Sequence, residues 1–234
     1  MEFEALLAAT WPAAETVEAG GFLLRRGAGG GSRVSAASRM AGSCDIAAAE
    51  AGLRAWGQRP LFRVGRDEAA LDEALAARGY TLKDPTAVLA APVGALTGGD
   101  IDEFAILCDA PLACMEAIWA AGGIGPARLR VMERVAVPRI WILGRHGDRP
   151  VGAAFVAVQG GAAMLHALEI GRAYRRAGVA RRMTRAAAAW ARCAGADTLV
   201  LAVTRANTAA LSLYAGLGMA ETGGYHYREA PSHP

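Results

Sequence analysis

Apolar and polar positions follow two different periods along this chain, and the changes between them mark its elements. Phe3 to Thr10 has helical spacing and stops at Trp11-Pro12. Gly20-Gly21 then introduces GFLLRRG, and the Gly29-Gly30-Gly31 turn leads into SRVSAAS. This predicts a hairpin of two short strands about residues that tolerate positive φ. Asp45 is placed to cap a helix over IAAAEAGLRAW, and Pro60 precedes the strand LFRV. Asp67 is placed to cap EAALDEALAAR, with Gly79 as its stop. YTLKDPTAVLAAPV reads as a strand interrupted by Pro85.

The aperiodic stretch from Ala95 to Asp100 (ALTGGD) is the expected linker, dividing the chain into domains 1–95 and 100–234. Beyond it, Ile101 to Cys108, Leu112 to Ala121 and Ala127 to Arg134 read as helical. From Pro138 the period changes to that of strands. RIWILGR, VGAAFVAV and AMLHALEI are joined by Gly/Asp turns, which predicts an antiparallel meander. A long helix from about Gly178 to Ala194 follows, then the strand TLVLAV, a helix from Asn207 to Leu217 and a last strand near HYRE. The helix between LHALEI and TLVLAV has the length of a crossover connection. The fold class expected is α+β: a mixed, mostly antiparallel central sheet flanked by helices, preceded by a smaller α/β half.

Composition narrows the class. The 234 residues are 53% hydrophobic and 20% charged, too apolar for a disordered chain and too regularly charged for a membrane protein. The opening segment carries Glu2, Glu4, Glu15 and Glu18 and no basic run, so a cytoplasmic location is expected. The net charge is +3, and Lys83 is the single lysine among 25 basic residues. Such arginine usage, with the heavy alanine and glycine, reads as composition bias rather than as a nucleic-acid footprint. Cys44, Cys108, Cys114 and Cys193 show no metal-ligand spacing and are expected to be reduced, mostly buried thiols. No metal is expected.

Chemistry concentrates in AMLHALEIGRAYRRAGVARRMTRAAAAWA. An apolar strand ends at Ile170, a turn carries Arg175 and Arg176, and Gly178 opens a long helix. A strand feeding a helix through small residues points the first helical amides at one spot, and the helix dipole and the arginines add positive charge there. That spot suits a phosphate or pyrophosphate, whose oxygens reach the backbone past the small Gly178 and Ala180.

Arg175-Arg176-Ala177-Gly178-Val179-Ala180 resembles the Arg/Gln-x-x-Gly-x-Gly/Ala signature of the GNAT superfamily of N-acetyltransferases. Downstream, Asn207-x-x-Ala210-x-x-x-Tyr214-x-x-x-Gly218-Met219 resembles the family's Asn-x-x-Ala-x-x-x-Tyr-x-x-x-Gly-Phe. The likeness is strong from about Leu165 to Met219 and extends to Ile101 by element order. It implies that acetyl-CoA is the co-substrate, with its pyrophosphate on the turn at 175–180. The pantetheine arm would lie along Leu168, Glu169 and Ile170, where the family strand splays from its neighbour. Asn207 would bond near the pantetheine or the helix start, with Ala210 beside it, and Tyr214 would protonate the departing thiolate. His166 is the first candidate for the base, by likeness to serotonin N-acetyltransferase-like members. By strand alternation it shares a face with Leu168 and Ile170. Glu169 is its rival, on the opposite face unless a bulge intervenes. Where N-terminal peptide acetyltransferases keep a carboxylate on the next strand, this chain has Ala202, which disfavours a peptide terminus.

Plainer readings stand beside these. His166 fits a satisfied core histidine, Tyr214 a packed ring on the face of Leu211 and Leu217, and Arg181, Arg182 and Arg185 a solvated helix face. In the first half, Leu75-x-x-Arg78-Gly79-Tyr80 resembles the end of the same fold. No phosphate turn precedes it, so a degenerate copy unable to bind CoA is expected, with an unrelated lid or dimerisation module as the alternative. The resulting expectation is direct acetyl transfer to the primary amine of a small molecule or peptide, with Tyr225-His226-Tyr227 near the acceptor. A non-catalytic acetyl-CoA sensor is the alternative. No nucleic-acid or membrane partner is expected, and the apolar, alanine-rich composition suits a homodimer.

Overall fold

The structure is a computed structural model that describes residues 3–97 and 104–231. The chain forms two compact units. The first comprises Met1–Pro12, Leu89–Ala202 and Ala209–Ala220; the second comprises Ala13–Val88, Val203–Thr208 and Glu221–Pro234.

In the second unit, β1 (Glu15–Ala19) and β2 (Phe22–Arg26) form a tight antiparallel hairpin, and β3 (Ala37–Arg39) pairs with the other edge of β2. The hairpin therefore turns at Gly20-Gly21, not at the triple glycine. Both residues have positive φ, 59° and 75°, which a two-residue loop matched to strand twist requires. The segment after the triple glycine begins as a short 3₁₀ turn, Ser32–Val34, and only its end joins the sheet. Helix α2 (Ile46–Ala55) crosses over to β4 (Leu61–Gly65), which lies parallel to β3. The Ala48 amide donates to the Asp45 carboxylate at 3.1 Å, the expected cap. At α3 (Ala69–Ala77) the capping position is Glu68 rather than Asp67, and the Glu68 carboxylate accepts from the Gly65 amide at 2.7 Å. Phe22, Leu24, Leu53, Phe62, Val64 and Leu75 form the core between this sheet and the two helices.

Strand β5 (Thr81–Pro92) follows and runs from the second unit into the first. Pro85 does not interrupt it; the chain bends at Asp84, whose φ is 46°, and continues extended. After the short helix α4 (Val93–Leu96), the described chain resumes in β6 (Ala105–Cys108). The helix expected over 101–108 is thus a strand from Ala105 onward, pairing with β7; residues 101–103 lie outside the described residues. Of the linker expected at 95–100, Ala95 and Leu96 end helix α4, and residues 98–100 lie outside the described residues too.

Helices α5 (Ala113–Ala121) and α6 (Pro126–Glu133) precede the meander of β7 (Arg139–His146), β8 (Arg149–Gln159) and β9 (Ala162–Ile170). Helix α7 (Val179–Cys193) crosses over to β10 (Thr198–Thr204), parallel to β9. Helix α8 (Thr208–Ala215) and β11 (Ala220–Glu229) complete the chain. In the first unit α7 packs on β6 to β9, while α5 and α1 (Phe3–Thr10) pack on β8 and β9.

Both halves of the chain thus follow the same succession: three antiparallel strands, a crossover helix, a parallel strand, a second helix and a last strand. Their ends depart from the division at 95–100. Helix α1 packs in the first unit, and β11 pairs antiparallel with β4 in the second, Tyr225 opposite Gly65 and Glu229 opposite Leu61. The linker marks the repeat in sequence, but strand pairing assigns the termini. The cysteines also differ from expectation. All four are free thiols and none is buried; Cys44 and Cys193 are exposed.

Candidate active site

The site is built on β9, where its pairing fails on both sides. Against β8, Phe155 lies opposite His166, but Ala153 lies opposite Glu169. Strand β9 therefore holds one extra residue, a β-bulge, and Ala167 takes a φ of 50°. The Trp119 indole Nε1 of α5 donates to the Ala167 carbonyl oxygen at 2.7 Å, satisfying the group that the bulge turns out of the ladder. On the other side, parallel pairing with β10 runs from Ala162–Thr198 to Met164–Val200 and stops, although both strands continue. From Leu165 to Ile170 the two strands part. Strand amides and carbonyls facing such a gap are a ready template for an extended ligand.

The bulge changes which side chains share a face. Phe155 and Ala153 are two apart on β8, so their partners His166 and Glu169 point the same way. Ile170, opposite Gly152, points the other way, among Met183 and Val179 of α7. The expectation that His166 shares a face with Ile170 is overturned, because one inserted residue inverts strand alternation.

His166 itself is 1% exposed. Its ring stacks on Trp11 at 4.7 Å, and its Nε2 is 3.0 Å from Thr10 Oγ1. The Thr10 hydroxyl donates to the Leu6 carbonyl at 2.8 Å, so Nε2 carries the proton and donates to Thr10. These contacts fasten helix α1 to the sheet. Glu169 is more accessible, with its side chain in a space that exists because residue 122 is glycine. A Cβ at Gly122 would lie 2.6 Å from the Glu169 Cγ and Cδ. Its carboxylate pairs with Arg175 Nη2 at 3.1 Å, and Arg175 Nε also donates to the Ile170 carbonyl at 3.3 Å.

Past Ile170 a short 3₁₀ turn (Arg172–Tyr174) leads to exposed Arg175 and Arg176. Arg176 and Gly178 both have positive φ, 67° and 78°, on either side of Ala177. Backbone bent in this alternation gathers successive N–H groups into a concave, anion-binding nest. The first bond within α7 is Arg182 N–H to Gly178 O at 3.1 Å, so the amides of Val179, Ala180 and Arg181 stand ahead of the helical ladder. Val179 is buried and anchors the turn, while Gly178 is exposed. A Cβ at Gly178 would meet only the mobile end of Arg182, at 3.5 Å, so the glycine is required by backbone angle rather than space.

Three arginines expected as a solvated face divide. Arg181 Nη1 donates to the Gly216 carbonyl at 3.0 Å, tying α7 to the chain after α8, and Arg182 lies over the Phe104 ring at 5.5 Å. Arg185 is exposed. Tyr214 is buried on α8 with 6% exposure, and Ala210 lies one turn before it, partly exposed. Asn207 is exposed immediately before α8, its amide donating to Thr204 O at 2.9 Å. Tyr225, His226 and Tyr227, expected near the acceptor, belong to the second unit. There the two tyrosines are buried and His226 Nε2 is 2.6 Å from Asp72 Oδ1. Sequence reasoning did not single out Trp119 or Gly122. Neither has a local signal, because each is defined by a strand residue 47 or 48 positions later. Among the described residues, no three His, Cys, Asp or Glu side chains are grouped to hold a metal ion, and no helix is long and apolar enough to cross a membrane.

A splayed, bulged strand followed by a nest of amides at a helix start combines an open strand edge with an anion-binding turn. The model of the acetyltransferase (GNAT) family matches residues 108–219. Among solved structures, the chain is similar to a GCN5-related N-acetyltransferase from Kribbella flavida at 17% identity and a TM-score of 0.73, over 98% of this chain and 95% of that one. It is similar to a GNAT-family acetyltransferase structure from Novosphingobium aromaticivorans at 15% identity and a TM-score of 0.61, over 99% and 100%. A tandem GNAT protein from the clavulanic acid biosynthesis pathway aligns at 14% identity and a TM-score of 0.61, over 91% and 79%. At these identities the likeness is one of fold. A search of curated protein sequences finds no match. Residues 108–219 form a domain of the GNAT acetyltransferase family.

Proposed function

We propose that the protein is an N-acetyltransferase that moves the acetyl group of acetyl-CoA directly to a primary amine. The observation that carries this reading is the continuous path from the parted segment of β9 to the nest at Arg176–Gly178 and the start of α7. The parted strand offers backbone groups to the pantetheine amides, and the nest offers N–H groups and a helix dipole to the pyrophosphate. Arg175 and Arg176 add charge on the exposed side.

Transfer forms a C–N bond from the amine to the thioester carbonyl carbon and breaks the C–S bond. The amine loses a proton and the thiolate gains one. Glu169 is the group we assign to the amine, receiving its proton directly or through one water. It sits on β9 next to the bulge, whereas His166 is enclosed between Thr10 and Trp11. When a pyrophosphate engages Arg175, the Glu169 carboxylate is released from that ion pair to face the amine. Tyr214 supplies the proton to the thiolate. Positioning of the two reactants provides much of the remaining acceleration.

Calorimetric titration with acetyl-CoA, beside a free-thiol assay over polyamines, amino acids and aminoglycosides, tests the reading. Binding together with thiol release for one class of amine is the expected result. Tight binding without turnover across the panel replaces the enzyme by a sensor, and no binding removes the cofactor assignment. Tyr214→Phe should lower kcat about 100-fold, the scale of general-acid catalysis, and leave the acetyl-CoA Kd within about twofold. An unchanged kcat would show that the thiolate takes its proton from water.

A further inference from the structure

The second unit contains a cavity of about 300 Å³ that the acetyl-transfer chemistry does not use. Arg66, just past β4, and Arg205, just past β10, line it, and both guanidiniums pair with the same oxygen of Glu221, Oε1. The Arg205 contact is 2.7 Å. Two guanidiniums carry ten N–H donors between them, far more than one carboxylate oxygen satisfies. Each side chain is about half exposed, 52% for Arg66 and 48% for Arg205.

The seat of Arg66 is built into the backbone. A Cβ at Gly224 would lie 3.1 Å from Arg66 Nε and 2.9 Å from the Thr86 carbonyl, so glycine there lets the guanidinium lie against β11. The acid that lines the cavity, Asp72, is committed elsewhere. Asp72 receives Arg228 through Nε at 2.7 Å and Nη2 at 2.9 Å, and His226 at 2.6 Å. Arg228 thus pairs with Asp72, while Arg66 and Arg205 share the one oxygen of Glu221. The lining also has an apolar part: Ala69, Leu82, which is 53% exposed, and Pro85, whose carbonyl accepts the Arg205 amide at 2.7 Å.

We infer that this cavity binds a small organic carboxylate with a short apolar body. Its carboxylate lies between Arg66 and Arg205, in place of or beside Glu221, and its body lies on Leu82 and Pro85. The grip is already fitted to a carboxylate, because the group it holds is one. The volume falls at the low end of small-molecule sites, which limits the ligand to about the size of benzoate.

The test is calorimetry on the full chain with sodium benzoate, with benzamide and inorganic phosphate as comparison probes. Benzoate should bind the parent protein, benzamide should not, and phosphate should bind more weakly. Glu221→Gln removes the internal competitor and should tighten benzoate, whereas Arg205→Gln should weaken it about tenfold, the scale of a charge-assisted hydrogen bond. Leu82→Asp, at an exposed position that leaves the core untouched, should also weaken benzoate. Acetyl-CoA titration and a melting curve on each variant establish that the fold is retained. Equal benzoate affinity in the parent, Glu221→Gln and Arg205→Gln proteins, or no benzoate binding to any, overturns the inference. Phosphate binding as tightly as benzoate removes the apolar half of the ligand and overturns it as stated.

Discussion

At the scale of single residues, the site turns on two backbone angles. Gly178 sits at a φ of 78°, a conformation that costs any other residue roughly 1–2 kcal/mol. Its amide neighbours form the concave end of the proposed phosphate seat. Gly178→Glu should therefore abolish acetyl-CoA binding, through like charge at the pyrophosphate, and lower stability by only about 1–2 kcal/mol. Calorimetry and a melting curve on the variant check both; normal binding would remove the turn from the site. The second angle is that of Ala167, at 50°. It moves Glu169 to the face of His166 and sends Ile170 to α7. The sequence names both candidate bases, but the inserted residue decides which side each presents.

At the scale of elements, two crossover helices of like position have opposite electrostatics. Helix α7 begins with Gly178 and two arginines close by. Helix α2 begins with Asp45, whose carboxylate already accepts the Ala48 amide. A phosphate approaching α2 would meet a negative charge and a filled donor, so this helix start is a poorer anion seat than that of α7. On β9, the bulge is held by Trp119, fully buried on α5, through its 2.7 Å bond to Ala167. Trp119→Phe keeps an aromatic ring, removes the donor and leaves a small cavity at this buried site. It should cost about 1–3 kcal/mol of stability and weaken acetyl-CoA binding, because the bulge carbonyl loses its partner and the strand edge its set. The check is acetyl-CoA affinity below the variant's melting range. Full affinity there would assign Trp119 to packing alone.

At the scale of the whole molecule, the repeated halves do not end where the repeat ends. Strand β11, the last of the second copy, pairs with β4 in the unit formed mainly by the first. Its fastening there is electrostatic as well as backbone. Asp72 on α3 holds Arg228 and His226 of β11, and these bonds, that of Arg228 foremost, lower its pKa to about 2. A carboxylate with a folded pKa below its unfolded value of ~3.9 stabilises the fold above pH ~4. That contribution is lost as pH falls toward 2. Asp72→Asn should thus lower the melting temperature at pH 7, and its difference from the parent protein should shrink between pH 4 and pH 2. A difference that stays constant over that range would detach the effect from Asp72 ionisation.

The sequence by itself determined the parts with local causes. Period-2 runs joined by glycine turns marked the meander, the apolar stripe of 179–193 marked the crossover helix, and small residues beside arginines marked the left-handed turn before it, the phosphate seat we propose. It also exposed the repeat through its order of elements. Tertiary structure alone decided what depends on pairing across the chain. The bulge at Ala167 needs β8 as its ruler, and Trp119 and Gly122 acquire meaning only against β9. His166 is enclosed because Thr10 and Trp11 return to it from the far end of the sequence. Tyr225, His226 and Tyr227 join the second unit because β11 finds β4. A strand's own residues set its propensity and alternation. Its register and its neighbour are set by which apolar face it completes, and that face is assembled from segments far apart in sequence.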